Sequence, residues 1–321
     1  MTKKTSAMTY VERLNSSPAF LTEGAVVTRL VYDYGLPTPE SAAFVHLFSD
    51  AGRKALSAIY RSYLEVAAAY DLPMQVGTPT WRAHRDCLFR LGYTAPSDLH
   101  RANAESVALL QDLRRELGLE GTVFIAGVVG PRVDGYSPDG APDADEAEDY
   151  VRDQVHALAG AGADLLYAPT FPDVEELVGV SRVFAETGLP YILAPVIDAA
   201  GRLPDGTALA DAVARIDAAA GRPPLYYMGG CVHPSHFETA ASKEPWPATD
   251  RIFGLQANAS SLTPEELEGL DHADGSDPGE FAEMMVGLHR RGMKILGGCC
   301  GTNDMHMRAL AGRLKASLVA S

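Results

Sequence analysis

The sequence predicts a single (β/α)8 barrel, and three observations carry that prediction. A unit made of an amphipathic helix, a glycine and a short apolar run recurs through the C-terminal two-thirds of the chain. The apolar runs are continuous rather than alternating, as in strands of a parallel sheet buried on both faces. Eight such runs can be marked along the 321 residues, which suits one barrel domain with a usual size of ~250 residues.

The runs are Phe20-Leu21-Thr22, Met74-Gln75-Val76, Thr122 to Ala126, Asp164 to Pro169, Pro190 to Pro195, Leu225 to Met228, Ile252 to Leu255 and Met293 to Leu296. Between the later ones lie the helical stretches Tyr150 to Leu158, Val174 to Phe184, Ala208 to Ala220 and Phe281 to Leu288. In the first of these, Val151, Val155 and Leu158 form the one-sided apolar stripe of a helix packed on a sheet. Gly162, Gly188, Gly221 and Gly292 follow the four helices and read as their C-caps. An open doubly wound sheet is the alternative. It fits less well, because no Gly-x-Gly-x-x-Gly opens a helix after the first strand. No Pro- or Ser-rich linker divides the chain, so residues 1–321 read as one domain with loop insertions near 132–142 and 236–250.

A hydrophobic content of 46% supports a sizeable core. The formal net charge of −15 argues against nucleic acid and anionic membranes as partners. Much of the acid is local, and the run from Pro142 to Asp149 reads as an acidic first helical turn. No apolar run reaches membrane-spanning length, and no apolar segment follows the basic start Met1 to Ser6, so the expected location is the cytoplasm. Four cysteines, two of them adjacent, make a poor disulfide framework and fit a reducing compartment.

Those cysteines carry the functional signal. Cys231 lies in Met228-Gly229-Gly230-Cys231-Val232-His233-Pro234, and Cys299 and Cys300 lie in Gly297-Gly298-Cys299-Cys300-Gly301-Thr302. Both strings follow apolar runs, so the three thiols are expected just past strand ends. The glycines there are expected to let the backbone approach a bound group. Barrel chemistry sits at the C-terminal ends of strands. Cys231 would end the sixth strand and the cysteine pair the eighth, with one strand between them. Three thiolates with an open fourth position suit Zn²⁺ in a catalytic role. The rival readings of the pair are small buried residues in a tight turn, or a vicinal disulfide. Cys87 reads as an inert buried thiol on a helix. His233, His236 and His306 lie near the cysteines in sequence. Each is a candidate ligand or base, with a surface or capping role as the commoner alternative. Zn²⁺ on three thiolates is a weak Lewis acid for hydrolysis. It is well suited to hold an incoming thiol as a thiolate, which points to alkyl transfer onto sulfur.

Taken together, Gly297 to Thr302 followed by His306, and the Gly-x-Cys-x-x-Pro of Gly229 to Pro234, resemble the zinc-dependent homocysteine S-methyltransferase family. The resemblance implies a (β/α)8 barrel with Cys231, Cys299 and Cys300 as zinc ligands. Weaker similarities run through most of the chain. Thr22 to Leu30 is similar to the family's Asp-Gly-Gly-x-Gly-Thr-x-Leu first strand, and Thr78-Pro79-Thr80-Trp81 to its Thr-Asn-Thr-aromatic second. Gly127 to Pro131, with Gly135-Tyr136 after it, is similar to the third, and Asn258-Ala259 to the Asn-Ala pair of the seventh. These likenesses nominate Glu23, Thr78, Trp81, Tyr136, Thr170 and Asn258 as substrate-binding residues. The departures are specific. The first-strand acid is Glu23 rather than Asp, two glycines after it become Ala25 and Val27, and the second-strand Asn becomes Pro79. On the fourth strand the family's Glu-Thr, whose Glu helps hold the amine of homocysteine, is Pro169-Thr170 here. Asp173, Glu175 and Glu176 are nearby substitutes, with helix capping as their commoner role.

The resulting expectation is a zinc-dependent S-methyltransferase. It would move a methyl group from a sulfonium or quaternary ammonium donor to homocysteine or, given Pro169, to a related small thiol. Glu23, Trp81 and Tyr136 are candidate walls for a cationic donor. The length leaves no room for folate- or cobalamin-binding domains, so a separate corrinoid protein is a second donor route. A homo-oligomer is compatible with the sequence. The alternatives are a zinc-dependent demethylase or lyase on a small sulfur compound, and a zinc-binding barrel without catalysis.

Overall fold

The protein was analysed as a computed structural model, which describes residues 8–243, 251–262, 266 and 274–319. Eight strands pair in sequence order and close on themselves: β1 Phe20–Thr22, β2 Met74–Gly77, β3 Val123–Val128, β4 Leu165–Phe171, β5 Tyr191–Pro195, β6 Tyr226–Val232, β7 Ile252–Ala257 and β8 Ile295–Gly298. Every neighbouring pair is parallel, including β8 with β1. The expected (β/α)8 barrel is therefore the observed fold, and the open sheet is excluded by closure.

Several strands outrun the apolar runs that announce them. β4 continues through Pro169 and Thr170 to Phe171, and β6 continues through two glycines and Cys231 to Val232. Cys231 thus lies within its strand, whereas Cys299 and Cys300 follow β8 as expected. Both long strands are bulged at their tops. The β4–β5 register shifts between Pro169 and Phe171, and the β6–β7 register between Gly230 and Val232. A bulge re-aims the side chains beside it, and here both bulges lie at the mouth of the barrel.

The crossover helices follow the sequence pattern. Gly162, Gly188 and Gly292 take left-handed φ of 88°, 75° and 103° after their helices. Gly221 does not, because the helix Leu209–Ala219 ends on Ala220 in extended conformation. The acidic run works as read. Asp143 caps the helix Ala144–Gly160 by accepting from the backbone N–H groups of Asp145 and Glu146. Residues 236–241, expected within an insertion, instead belong to the helix Pro234–Ala241 that begins the β6–β7 crossover. Residues 244–250 of that stretch lie outside the described residues. The 132–142 stretch has no helix or strand and turns on Asp134, whose Oδ1 accepts from the N–H of Tyr136 at 2.6 Å and of Ser137 at 3.0 Å.

Two apolar layers hold the barrel. The larger one lies between the sheet and the helices, with Leu56, Val107, Leu158, Phe184 and Leu310 among its buried members. The smaller fills the barrel interior with Phe20, Phe124, Leu165, Ile192, Met228 and Ile295. An unanticipated helix, Tyr10–Ser16, belongs to this inner layer through Tyr10 and Leu14. Tyr10 donates to Gln75 Oε1 at 2.7 Å and also bonds the hydroxyl of Tyr226. The sequence signal was present in Thr9-x-x-Glu12, which forms a reciprocal capping box. Among the described residues, no helix is long and apolar enough to cross a membrane.

Candidate metal centre and substrate cavity

The tops of β6 and β8 bring the three thiols together. Cys231 Sγ is 2.7 Å from Cys299 Sγ and 4.0 Å from Cys300 Sγ, and all three sulfurs lie within 4.8 Å of one another. All three thiols are free, so the pair is no vicinal disulfide, and Cys87 is buried elsewhere. Burial pushes the Cys87 thiol up to about 12, the inert state expected for it.

Two of the glycines beside the cysteine pair have a packing role as well. A Cβ at Gly297 would fall 1.8 Å from Thr22 Oγ1, and one at Gly298 would fall 2.2 Å from Thr302 Oγ1, so they admit two threonines of the protein. Gly230 and Gly298 also line the cavity. Thr302 then ties the turn together: its hydroxyl donates to Cys299 O at 2.7 Å and accepts from Ala25 N–H at 3.1 Å. Cys299 N–H donates to Ala257 O at 2.7 Å, and Ala259 N–H donates to Cys300 O at 2.9 Å, pinning the pair to the top of β7.

Two residues at the bulges carry left-handed backbone, Thr170 with φ 64° and Cys231 with φ 51°. Such a φ is an outlier for a β-branched residue and costs on the order of 1–3 kcal/mol, a kind of strain that clusters at functional sites. Asn258 holds the strained cysteine by donating from Nδ2 to Cys231 O at 3.0 Å.

The thiols share protons. Hydrogen bonds from Cys299 and Cys300 draw Cys231 well below the usual thiol range, and bonding to Cys231 raises both partners. A divalent ion replaces those protons and deprotonates all three. The donor set fits a thiophilic ion: bonds of ~2.3 Å in a tetrahedron place sulfurs ~3.8 Å apart, and the observed separations lie on both sides of that value.

The thiols open into a cavity of about 240 Å³ ringed by the strand tops. Glu23, Thr78, Trp81, Tyr136 and Thr170 line it, together with Pro169 and Gln256. Asn258 is not part of the lining; it acts behind the wall on Cys231. Glu23 is buried, and desolvation pushes its carboxyl up to about 7 against hydrogen bonds from its own and Gly77 N–H groups and from the Gln256 side chain. Gln256 in turn accepts from Tyr167 OH at 3.0 Å. Trp81 is clamped, with its Nε1 donating to Pro169 O at 3.0 Å and the Arg82 guanidinium 4.2 Å from its ring centroid. Thr78 is internally engaged, accepting from Val128 N–H at 2.9 Å and bonding Thr80 Oγ1 at 2.6 Å.

The other candidates have structural work. His233 caps the helix Pro234–Ala241 by accepting from Ser235 N–H. The His306 ring bonds Asn303 Oδ1 at 2.9 Å and Ser276 O at 3.0 Å. His233 and His236 pack edge to face, 5.8 Å between centroids. Asp173 caps the helix Val174–Glu186, Glu175 pairs with Arg215, and buried Glu176 accepts from Arg132 N–H at 2.7 Å. Sequence reasoning missed Gln256 and Thr28, which line the cavity, and the tying role of Thr302. A lone glutamine in the apolar run Ile252–Ala257 was the available signal for the first.

Comparison with known proteins agrees with this architecture. Two solved structures of the homocysteine methyltransferase MmuM from Escherichia coli superpose with TM-scores of 0.75 (metallated form, 20% identity) and 0.76 (oxidized form, 21% identity). Each match covers 94% of this chain, and 98% and 97% of theirs. The curated homocysteine S-methyltransferase of Escherichia coli (strain K12) is 28% identical over 210 residues. That match spans 60% of this chain and 63% of the relative, just under two-thirds of its length. The family described as Homocysteine S-methyltransferase matches residues 20–314, which runs from the first residue of β1 past the cysteine pair. A match of that extent settles membership: the chain belongs to the homocysteine S-methyltransferase family.

Proposed function

We propose that the protein is a zinc-dependent thiol S-methyltransferase. It moves a methyl group from a sulfonium or quaternary ammonium donor to a small thiol. The observation that carries the reading is the convergence of three cysteine sulfurs, within 4.8 Å of one another, on the wall of a cavity at the barrel mouth. Family membership and the name of the Escherichia coli relative support it. Cys231, Cys299 and Cys300 would hold the metal, and Zn²⁺ when bound supplies the positive charge that keeps an acceptor thiol deprotonated at neutral pH.

The chain's own residues supply the rest. The threonine-tied turn and the bulged β6 fix the three sulfurs before anything binds, so little reorganisation accompanies substrate entry. Glu23 presents a carboxyl beside the thiols and would draw in a cationic donor. Its about-neutral pKa means that such a cation also favours the ionised form. Trp81 and Tyr136 offer aromatic surface on the same cavity. In the transfer, the acceptor sulfur forms a bond to the methyl carbon. The donor's S–C or N–C bond breaks with its electron pair, releasing a neutral sulfide or amine, and the acceptor's proton leaves to solvent.

The test is turnover of zinc-loaded protein with a matrix of small thiols against sulfonium, quaternary ammonium and methylcobalamin donors, read by mass spectrometry of the methylated thiol. Methylation of a thiol by a sulfonium or ammonium compound is the expected result. Methylation by methylcobalamin alone would move the donor to a corrinoid protein. Cleavage of a sulfur compound with no methylated thiol in any cell of the matrix would overturn the reading.

A further inference from the structure

The indole of Trp81 is held on one face and along one side. Its Nε1 donates to Pro169 O at 3.0 Å. A Cβ at Gly130 would fall 2.7 Å from its Cδ1 and Nε1, and one at Gly135 would fall 3.1 Å from its Cζ2. Those atoms border a single side of the ring, so that side is packed against the loop after β3 and the top of β4. The Arg82 guanidinium lies over the ring, 4.2 Å from its centroid, and covers one face. Arg82 is buried and donates from Nη1 to Pro131 O at 2.9 Å. Among the described residues it forms no ion pair, so its positive charge rests on that carbonyl and on the indole. Trp81 also lines the cavity. The cavity therefore meets the face opposite Arg82 or the far edge of the ring.

We propose that Arg82 is a positioning residue that fixes Trp81 as a wall and withholds it from the donor's cation, leaving the Glu23 carboxyl to receive the positive charge. The edge of an aromatic ring carries the positive end of its quadrupole and does not attract a cation. The face opposite Arg82 shares its π electrons with a cation already in place. In both presentations the guanidinium behind the ring repels a second cation in front of it. The indole then supplies shape and apolar surface without charge attraction. Glu23 is the one carboxylate in the lining among the described residues, and its Oε1 would lie 2.7 Å from a Cβ at Gly77. The inference rests on the reading of a cationic donor and adds which wall takes the charge.

The experiment measures, by calorimetry on the zinc-loaded full chain, the affinity for choline and for 3,3-dimethylbutan-1-ol, which share a shape and differ in charge. The ratio of the two Kd values reads charge preference apart from fit. Wild type should favour choline, and Glu23→Gln should remove most of that preference. Trp81→Leu should weaken both probes alike and leave the ratio unchanged. Arg82→Met keeps the apolar stem, removes the like charge behind the wall and frees the ring face. It should raise the ratio in favour of choline by about threefold to thirtyfold, the range of one cation–π contact. Arg82→Lys keeps the charge and should hold the ratio at the wild-type value. A merely structural Arg82 would move both affinities together and leave the ratio still, so a folded Arg82→Met with the wild-type ratio overturns the proposal. A ratio that collapses in Trp81→Leu would make the indole the cation receptor and also overturn it, and that result does not depend on Arg82→Met folding. A wild-type protein with no preference for choline would remove the cationic donor itself, and this inference with it.

Discussion

Homocysteine is expected to be a poorer acceptor for this protein than a small thiol without an α-amine, and Pro169 is the reason. A proline at this point of β4 brings no charge and no backbone donor. Its carbonyl is already occupied by the Trp81 indole N–H at 3.0 Å. The three acids on the following helix are committed elsewhere. Asp173 caps the helix, Glu175 pairs with Arg215, and Glu176 accepts from Arg132 N–H. Among the described residues, Glu23 is the one carboxylate lining the cavity, and it stands on the β1 side beside Gly77. An ammonium facing β4 therefore loses a charge-assisted hydrogen bond, worth about 1.5–3 kcal/mol, or roughly tenfold to a hundredfold in kcat/KM. The assay is competition between homocysteine and mercapto acids or simple alkanethiols with one donor at saturation. Pro169→Glu should raise the relative kcat/KM of homocysteine by about tenfold if the missing clamp is the cause. Homocysteine with the highest kcat/KM of the panel in the wild-type enzyme would refute the reasoning, and would place its amine on Glu23.

Three further outcomes are expected. Replacing Cys231, Cys299 or Cys300 by Ser should drop metal content well below the one Zn²⁺ per chain expected for wild type, while Cys87→Ser should leave it unchanged; full zinc in Cys300→Ser, by elemental analysis, would remove that residue from the ligand set. Chelation should abolish turnover but leave the far-UV circular dichroism intact, because the core closes without the metal; collapse of the spectrum would mean a structural ion. Glu23 has its folded pKa raised from 4.5 to about 7, so the native state holds a proton that the unfolded chain has released, and stability falls as pH rises between those values. At about 1.4 kcal/mol per pK unit the cost above pH 7 is about 3 kcal/mol, so Glu23→Gln should raise the melting temperature at pH 8 more than at pH 4.5, and an equal effect at both would show that the carboxyl is not buried as a proton-binding group.

The barrel was legible because its signals are local and repeated. Apolar runs recur along the whole chain, four of them after a helix and a glycine, and eight such runs suit a closed barrel. Bulged strand tops were not legible, since the glycines, proline and threonine that build them interrupt the apolar pattern without interrupting backbone pairing. Hence β4 and β6 read short, and Cys231 read as lying beyond its strand. The cysteine cluster could be read from sequence because glycine-flanked thiols at strand ends have few other uses. Its supports could not. Thr302 reaches Ala25 and Asn258 reaches Cys231 through hydrogen bonds between distant segments, and a sequence does not display such pairings. Gly297 and Gly298 show the same limit from the other side: their need for space was readable, but the threonines that use the space were not.

The polar groups around the thiols also limit how this site can recognise a substrate. Thr78 is held by Val128 N–H and Thr80, and Pro169 O by Trp81. Among the described residues, the lining carries no Lys, Arg or His. A carboxylate on the substrate would meet no cationic side chain in that lining, and burying it unpaired is costly. The Glu23 carboxyl, poised near neutrality, lines the cavity together with an aromatic and apolar wall and the hydroxyls of Thr28, Ser41 and Tyr60. With one carboxylate and no cationic side chain in its lining, such a cavity favours positive charge over negative. The sulfonium or ammonium centre of the proposed donor would satisfy that preference, and so would a compact thiol. An acceptor rich in polar groups satisfies it less well, and this is why the substitution at Pro169 and the internal hydrogen bonding of the β4 wall point to the same preference.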